Sequence, residues 1–299
     1  MVNVGLLLVC LLLGNLLRRC RRFPDNTSSA LNAFVIHVSL PALTLLHIHN
    51  LKLDDALIYP IMMAWVLFPM GIAFFWLIGR LAHWPRQMIG GLILTGALAN
   101  TSFVGLPMIE AYYGNDNGEL GIGLLIDQLG TYMVLSTLGI LVAAFCSTGQ
   151  VSLPVIAKKI VLFPPFQALV LALLLRPVEY PEQVEIILDH LGATLTPLAL
   201  VSIGFQLHLR ALKGNLGALA AGLGFKLILA PALIMLLLTD LIGAGGRVIQ
   251  VTIFEAAMGP QIGGSIIALE HKLEPPLVIL MVGIGIPLSF VTLPLWWFL

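Results

Sequence analysis

The stretch that decides the fold is ANTSFVGLPMIEAYYG, residues 99–114. It lies in a region apolar enough to cross a membrane, yet three uncharged polar residues stand in a row at 100–102, and Gly105 and Pro107 follow them. Because proline lacks a backbone N–H and clashes with the preceding turn, we expect the helix to break near Pro107. Unpaired backbone groups are costly in lipid, so such a break is tolerated only against protein or water. The stretch therefore predicts a broken membrane helix with a polar interior face.

The composition of the whole chain supports a membrane environment. Hydrophobic residues make up 59% of its 299 residues and charged residues only 10%, against roughly 25% charged in a soluble domain. A bilayer accommodates that much apolar surface. The formal net charge is zero, which gives no argument for binding nucleic acid. The cysteines show neither metal-binding nor paired spacing, and no phosphate loop or nucleophile motif is present. We therefore predict an integral membrane protein that is not an enzyme and holds no resident metal or organic cofactor.

Runs of about 20 apolar residues divide the chain into ten predicted membrane helices. They cover residues 2–18, 33–50, 57–80, 87–113, 119–146, 155–175, 184–207, 217–240, 247–271 and 276–298. In the first run the arginines follow the apolar residues, whereas a cleaved signal peptide has its basic residues first. The first run is therefore predicted to be a retained membrane helix.

The basic residues predict the orientation of the chain. Eleven of the fifteen Lys and Arg residues lie in loops that follow odd-numbered helices, and only three lie in loops that follow even-numbered helices. Loops rich in Lys and Arg stay in the cytoplasm. Both termini are therefore predicted to lie on the non-cytoplasmic side of the membrane.

The prolines indicate an internal repeat. Pro41 and Pro197 are 156 residues apart in the second and seventh helices, and Pro107 and Pro260 are 153 residues apart in the fourth and ninth. Two halves of five helices, approximately 1–148 and 152–299, must have opposite orientations in the membrane. Matching breaks in two inverted halves indicate the binding site of a transporter.

The ninth helix carries its own break in AAMGPQIGGS, residues 256–265. We expect Pro107 and Pro260 each to occupy the first turn of a new half-helix. The partly positive N-terminal ends of two half-helices that cross near the midplane would favour an anion. The alternative is that proline and glycine merely kink two packed helices.

The polar residues at the two breaks are the candidate binding residues. Asn100, Thr101 and Ser102 precede the first break, and Gln261 follows the second. Their oxygens could cap the freed N–H groups of the half-helix, bind a substrate carboxylate, or bind a cation. Asn100 is the preferred candidate for binding the substrate or an ion, because its amide offers both a donor and an acceptor.

Three of the ionisable residues inside predicted helices are candidate site residues: Asp127, Lys226 and Glu255. Such residues mark functional sites by default. Glu255, five residues before Pro260, could take up a proton, bind Na⁺ or form an ion pair with Lys226 of the eighth helix. Asp127 of the fifth helix could face the protein interior or an outer vestibule.

Several stretches resemble the auxin efflux carrier family of the bile acid/arsenite/riboflavin transporter superfamily. They are LGNLLRR at 13–19, VSLPALTLL at 38–46, LANTSFVGLPMIEAYYG at 98–114, EAAMGPQIGGSIIALEHKLEPPL at 255–277 and IPLSFVTLP at 286–294. The resemblance covers the whole chain, and the stretches in the fourth and ninth helices are its specific part.

The resemblance implies an all-α membrane protein of ten helices in two inverted repeats of five, with broken, crossing fourth and ninth helices. It also implies a scaffold domain and a transport domain that move against each other. It places Asn100 at the substrate site, with Pro107 and Pro260 at the crossing. Superfamily relatives that couple transport to Na⁺ suggest Asn100, Ser102 and Glu255 as the ligands of a bound Na⁺. The short link between the fifth and sixth helices resembles bacterial members, which implies a bacterial inner membrane.

The predicted function is alternating-access transport, in the direction of efflux, of a small organic anion such as a carboxylate. Lys226 is a further candidate for binding the anion, and Asp127 is a second candidate for coupling, with Na⁺ or H⁺ as the coupling ion. An anion channel and a transporter-like sensor without turnover are the alternatives. Homodimerisation is an open possibility.

Overall fold

The computed structural model describes residues 2–20, 23–24, 26–51, 54–114, 118–147, 154, 158, 160–206 and 216–298, with only the backbone described for 2–8 and 206. Every named element in this part is helical. Six of the basic residues that predict the orientation lie outside the described residues: Arg21, Arg22, Lys52, Lys159, Arg210 and Lys213.

Twelve helices account for most of the described chain. They are α1 (Val2–Arg19), α2 (Thr27–Asn50), α3 (Asp55–Leu81), α4 (Arg86–Gly96), α5 (Thr101–Gly105 and Leu106–Tyr113), α6 (Glu119–Cys146), α7 (Pro164–Leu175), α8 (Glu182–Phe205), α9 (Leu216–Leu241), α10 (Arg247–Ala256), α11 (Ile262–Glu270) and α12 (Pro275–Phe298).

Six of these helices, α2, α3, α6, α8, α9 and α12, are long and apolar enough to cross a membrane. Five of them coincide with a predicted membrane helix to within two residues, and α2 begins six residues before the predicted start at 33. The prediction of an all-helical membrane protein is confirmed, and the ten-helix inverted-repeat arrangement stays a prediction.

The predicted helix at 155–175 is interrupted at Phe163, although residues 158, 160 and 161 before it are helical. Phe163 is extended, with φ −73° and ψ 116°, and α7 begins at Pro164. A residue that precedes proline is driven out of the helical region, whereas proline itself is well suited to the first turn.

The chain forms two compact units. The first unit comprises residues 1–54, 102–124 and 157–207. Within it, α1 and α8 pack at backbone distance through glycines. A Cβ on Gly14 would lie 2.1 Å from the carbonyl oxygen of Val201, and a Cβ on Gly204 would lie 2.1 Å from that of Leu11. Small residues that allow such close approach are typical of helix pairs in membranes.

The second unit comprises residues 55–101, 125–156 and 208–299. Helix α4 lies at its centre, since every residue from Met88 to Gly96 is buried. It packs against α3, α11, α12 and the C-terminal part of α6. This placement puts the C-terminal end of α4, where the first break begins, inside the unit.

Candidate functional site

Two interruptions of helical structure meet inside the second unit. Helix α4 ends at Gly96 and helical structure resumes at Thr101, while α10 ends at Ala256 and α11 begins at Ile262. Between the two interruptions, Ala99 and Pro260 form an isolated antiparallel bridge.

Backbone hydrogen bonds join the two interruptions. The N–H of Asn100 donates to the carbonyl of Gly259 over 2.9 Å, and the N–H of Gln261 donates to the carbonyl of Thr95 over 3.0 Å. Each interruption thus satisfies backbone groups that the other leaves without a helical partner. This exchange allows non-helical backbone to persist in a protein interior without water.

Glycines let the two segments approach. A Cβ on Gly264 of α11 would lie 1.9 Å from the carbonyl oxygen of Leu94 in α4, and a Cβ on Gly285 of α12 would lie 2.4 Å from Cγ of Pro260. No larger side chain fits at either glycine without a shift of its neighbours. Gly264 of the ninth predicted helix and Gly285 of the tenth are therefore required by packing at the crossover.

Only one of the two prolines lies in the first turn of an α-helical segment. Helical structure resumes at Thr101, six residues before Pro107, through a π-helical turn over Thr101–Gly105. This wider turn accommodates a proline that cannot donate to the preceding turn. Pro260 precedes Gln261, the N-cap of α11, and so lies outside the helix. Pro107 does lie in the first turn of the α-helical segment Leu106–Tyr113, although the π turn makes helical structure begin earlier, at Thr101. For Pro260 the expectation is wrong, because α11 begins at Ile262.

Most of the predicted site residues are brought together in this second unit as buried side chains. The exposed fraction is 0% for Asn100, Thr101, Lys226 and Glu255, 2% for Asp127 and 6% for Gln261. Ser102 and Pro107 fall in the first unit, where Ser102 is half-buried and Pro107 is buried.

The hydroxyl of Thr101 donates a 2.6 Å hydrogen bond to Oδ1 of Asp127. Asp127 therefore faces the protein interior and not an outer vestibule, the two environments predicted for it. Because the hydroxyl is committed to a carboxylate 26 positions away, Thr101 supports the start of α5 through a tertiary contact.

Lys226 and Glu255 do not form the ion pair that was one of the three alternatives for Glu255. The ammonium of Lys226 donates instead to the carbonyl oxygen of Ala256, over 2.7 Å. That carbonyl belongs to the last residue of α10, where a cation is favourable. Neither carboxylate oxygen of Glu255 has a hydrogen-bond partner in the described part of the chain. Lys226 and Asp127 are nevertheless close enough to act on Glu255 electrostatically.

Three of the site residues lie in π-helical turns. Thr101 is in Thr101–Gly105, Asp127 is in Ile126–Tyr132 and Lys226 is in Phe225–Leu229. Single π turns inside α-helices are frequently found at functional sites.

Sequence reasoning did not include Thr131 among the site residues. It is 1% exposed, and its hydroxyl oxygen has no hydrogen-bond partner within the described residues. The available signal was its spacing, since Asp127 and Thr131 are four residues apart and thus share a helix face.

A second polar cluster lies in the first unit. His47, Glu110 and Asp189 line a small cavity of about 20 Å³, and Thr196 donates its hydroxyl to Glu110. Sequence reasoning did not place these four residues together because they come from α2, α5 and α8. Across the described residues, no group of three or more His, Cys, Asp and Glu side chains has an arrangement that could hold a metal ion.

The membrane-spanning helices and the buried polar crossover define the class of integral membrane transport proteins. The chain belongs to the membrane transport protein family, which is the auxin efflux carrier family. The family model matches twice, over residues 1–151 and 147–297, and the two matches fit a repeat. The chain is accordingly a transporter and not an enzyme.

Two archaeal proteins, each named an uncharacterized transporter, are similar over nearly their full length. The one from Methanothermobacter thermautotrophicus is 28% identical over 294 residues, which cover 97% of this chain and 94% of the relative. The one from Methanocaldococcus jannaschii is 24% identical and covers 98% of this chain and 96% of the relative.

Proposed function

We propose that the protein is a secondary transporter that moves a small organic anion, such as a carboxylate, by alternating access. The observation that carries this proposal is the buried polar crossover, where two interrupted helical segments exchange backbone hydrogen bonds within one compact unit. Binding sites built from interrupted helices are characteristic of secondary transporters.

The chemistry of the crossover suits an anion. Lys226 supplies a buried ammonium with three donors, of which one is recorded in a hydrogen bond to Ala256. The N-terminus of α11 adds backbone N–H groups that have no partner within the helix, together with the positive end of its dipole. Asn100, Thr101 and Gln261 would complete the substrate site as polar ligands. Pro260, which pairs with Ala99 in the second interruption, would help to maintain the crossover.

Glu255 would couple transport to a cation. A buried carboxylate without hydrogen-bond donors is costly, and a proton or a bound Na⁺ would remove most of that cost. Carboxylate, amide and hydroxyl oxygens are suitable ligands for a hard cation. Asn100 and Glu255 of the second unit are the proposed ligands for Na⁺, and Asp127 is an additional buried acidic group in the same unit.

Alternating access requires one part of the protein to move against another. The division of the chain into two compact units supplies parts that could do so. The resemblance favours efflux across a bacterial inner membrane. The distribution of basic residues favours both termini on the non-cytoplasmic side. A homodimer is an assembly to be tested.

Replacing Glu255 by Gln tests the proposal. The amide keeps the shape of the carboxylate and cannot titrate, so we expect folded protein that retains substrate binding and loses the dependence of transport on Na⁺ or pH. Purified protein in liposomes, loaded with unlabelled substrate, would report saturable counterflow of a labelled carboxylate. Substrates would first be selected by thermal-shift screening of carboxylates, with and without Na⁺ and at two pH values.

Glu270→Gln is the matched control because Glu270 is exposed, at the end of α11, and should keep the ion dependence of the wild type. A stable Glu255→Gln protein with wild-type ion dependence would exclude the coupling role. Wild-type flux without counterflow would indicate a channel, and binding without flux would indicate a sensor.

A further inference from the structure

A second site lies at the turn between α3 and α4, in the second unit and outside the crossover. Two arginines, Arg80 and Arg86, line a cavity of about 660 Å³ together with Trp76, Trp84 and Phe145. In the described residues, no Asp or Glu side chain lines this cavity. It therefore presents two positive charges and an aromatic surface.

The turn between the helices is tightly folded. The N–H of Trp84 donates to the carbonyl of Gly79 over 2.8 Å, and a Cβ on Gly79 would lie 2.5 Å from Cδ1 of Ile89. This fold brings the last turn of α3, which carries Arg80, against the first residue of α4, which is Arg86. The two guanidinium groups, each with five hydrogen-bond donors, thus line the same cavity.

An apolar groove continues from the arginine cavity. It has a volume of about 620 Å³ and is lined by Ile72, Leu138, Leu141 and Val142, and it shares Trp76 and Phe145 with the cavity. The rings of Trp76 and Phe145 meet edge to face, with centroids 6.1 Å apart. The guanidinium carbon of Arg86 lies 5.9 Å from the centroid of Phe145.

The position of Arg80 along α3 indicates how deep the arginine cavity and the apolar groove lie in the membrane. Helix α3 has 27 residues and a mean hydropathy of 2.2 in its most apolar window, and Arg80 comes one residue before its end. A helix of this length crosses the hydrocarbon and places its last turn among the headgroups. Trp and Arg are typical of that level. The apolar groove then extends from the headgroup level into the hydrocarbon.

We infer that the cavity and groove together bind one anionic phospholipid. The phosphate lies between Arg80 and Arg86, where planar guanidinium groups can form bidentate hydrogen bonds with it. The positive end of α4 adds to the attraction. One acyl chain lies in the groove between α3 and α6, past Trp76 and Phe145. Basic pockets next to membrane helices are suited to acidic headgroups.

The test compares phosphatidylglycerol with phosphatidylcholine that carries the same acyl chains. The delipidated full-length protein in a neutral detergent would be titrated with each lipid, and bound lipid would be counted by native mass spectrometry, alongside the thermal unfolding midpoint. We expect one tightly retained phosphatidylglycerol per chain, a higher midpoint with phosphatidylglycerol than with phosphatidylcholine, and no shift with soluble glycerol phosphate.

Two variants separate the headgroup from the chain. Arg80→Gln with Arg86→Gln removes the phosphate ligands and should weaken phosphatidylglycerol binding by about tenfold to a hundredfold, as expected for the loss of charged hydrogen bonds. Val142→Trp fills the apolar groove, keeps both arginines and should also weaken binding. Lys158→Gln with Lys272→Gln removes the same number of charges from exposed positions elsewhere and should leave binding unchanged.

Equal binding of the two lipids, or equal losses in the arginine and lysine variants, would overturn the inference, since either would indicate general attraction to a positive surface. A midpoint shift from glycerol phosphate as large as that from the lipid would also overturn it. If the arginine variant does not fold, wild-type affinity in Val142→Trp is enough to reject the site.

Discussion

Thr101 is the residue whose side chain holds the start of α5 to the rest of the second unit. Its hydroxyl donates to Asp127, and both side chains are buried. Thr101→Val keeps the shape of the side chain and removes the donor. We expect the free energy of unfolding to fall by about 1–3 kcal/mol, because the buried carboxylate loses a partner that water cannot replace. Thermal or denaturant unfolding of the purified protein would measure the change.

Thr252→Val is the control for that measurement. Thr252 is 0% exposed, and its hydroxyl donates to the carbonyl of Val248 within the same helix. That carbonyl keeps its helical partner when the hydroxyl is lost, so the expected change is smaller. An equal decrease in the free energy of unfolding in both variants would show that the Thr101–Asp127 hydrogen bond stabilises the protein no more than the bond within the helix does.

The residue types of the site could be predicted from the sequence, and their partners could not. Asn100, Asp127 and Glu255 stood out because polar groups are costly in an apolar span. Their partners depend on contacts between distant parts of the chain, such as Lys226 with the backbone of Ala256. The charges in the sequence suggested that Lys226 pairs with Glu255. They could not indicate the actual partner, because it is a backbone carbonyl at the end of α10.

At the scale of elements, the crossing of α4 and α11 depends on Gly264. Its Cβ position lies 1.9 Å from the carbonyl oxygen of Leu94, and a backbone oxygen cannot move aside as the end of a side chain can. Gly264→Ala should therefore separate α4 from α11 and disturb the bond from Gln261 to Thr95. We expect lower thermal stability, by about 1–3 kcal/mol or more, and loss of transport in liposomes.

The neighbouring glycine is a matched control. A Cβ on Gly263 would lie 2.9 Å from Cδ2 of Leu135, which is the end of a flexible side chain and can rotate away. Gly263→Ala should consequently keep most of the stability and the transport. The interpretation of the crossover as a rigid contact would be wrong if Gly263→Ala were the more damaging of the two changes.

Hydropathy located the long helices because their apolar length is a local property of the sequence. The exact point of the first interruption was not local in the same way. Pro107 predicted a break near itself, but a π turn absorbs the proline, and the interruption comes earlier, where Asn100 bonds to Gly259. A partner 159 positions away cannot be identified from the spacing of prolines and glycines.

At the scale of the whole molecule, the two compact units differ from the two sequence halves. The first unit takes residues from 1–54, 102–124 and 157–207, and the second takes the rest. Each unit therefore combines helices from both halves. The family model, by contrast, matches the two halves one after the other. Sequence repeats follow the order of the chain, whereas compact units follow packing, so the repeat could be detected from the sequence and the grouping of helices could not.

The orientation of the molecule in the membrane can be tested with two engineered cysteines. Cys10, Cys20 and Cys146 would first be replaced by Ala. Gly245→Cys is placed in the loop after α9, where a Cβ meets nothing within 4 Å, and Ala82→Cys is placed in the exposed turn after α3.

The distribution of basic residues puts these two positions on opposite sides, because Lys and Arg are retained in cytoplasmic loops. A membrane-impermeant maleimide should label Gly245→Cys in intact cells, and Ala82→Cys only after the cells are permeabilised. The opposite pattern would place both termini in the cytoplasm and reverse the proposed orientation. Labelling of both cysteines in intact cells would rule out the assigned number of membrane crossings between them, because an odd number of crossings must separate the two loops.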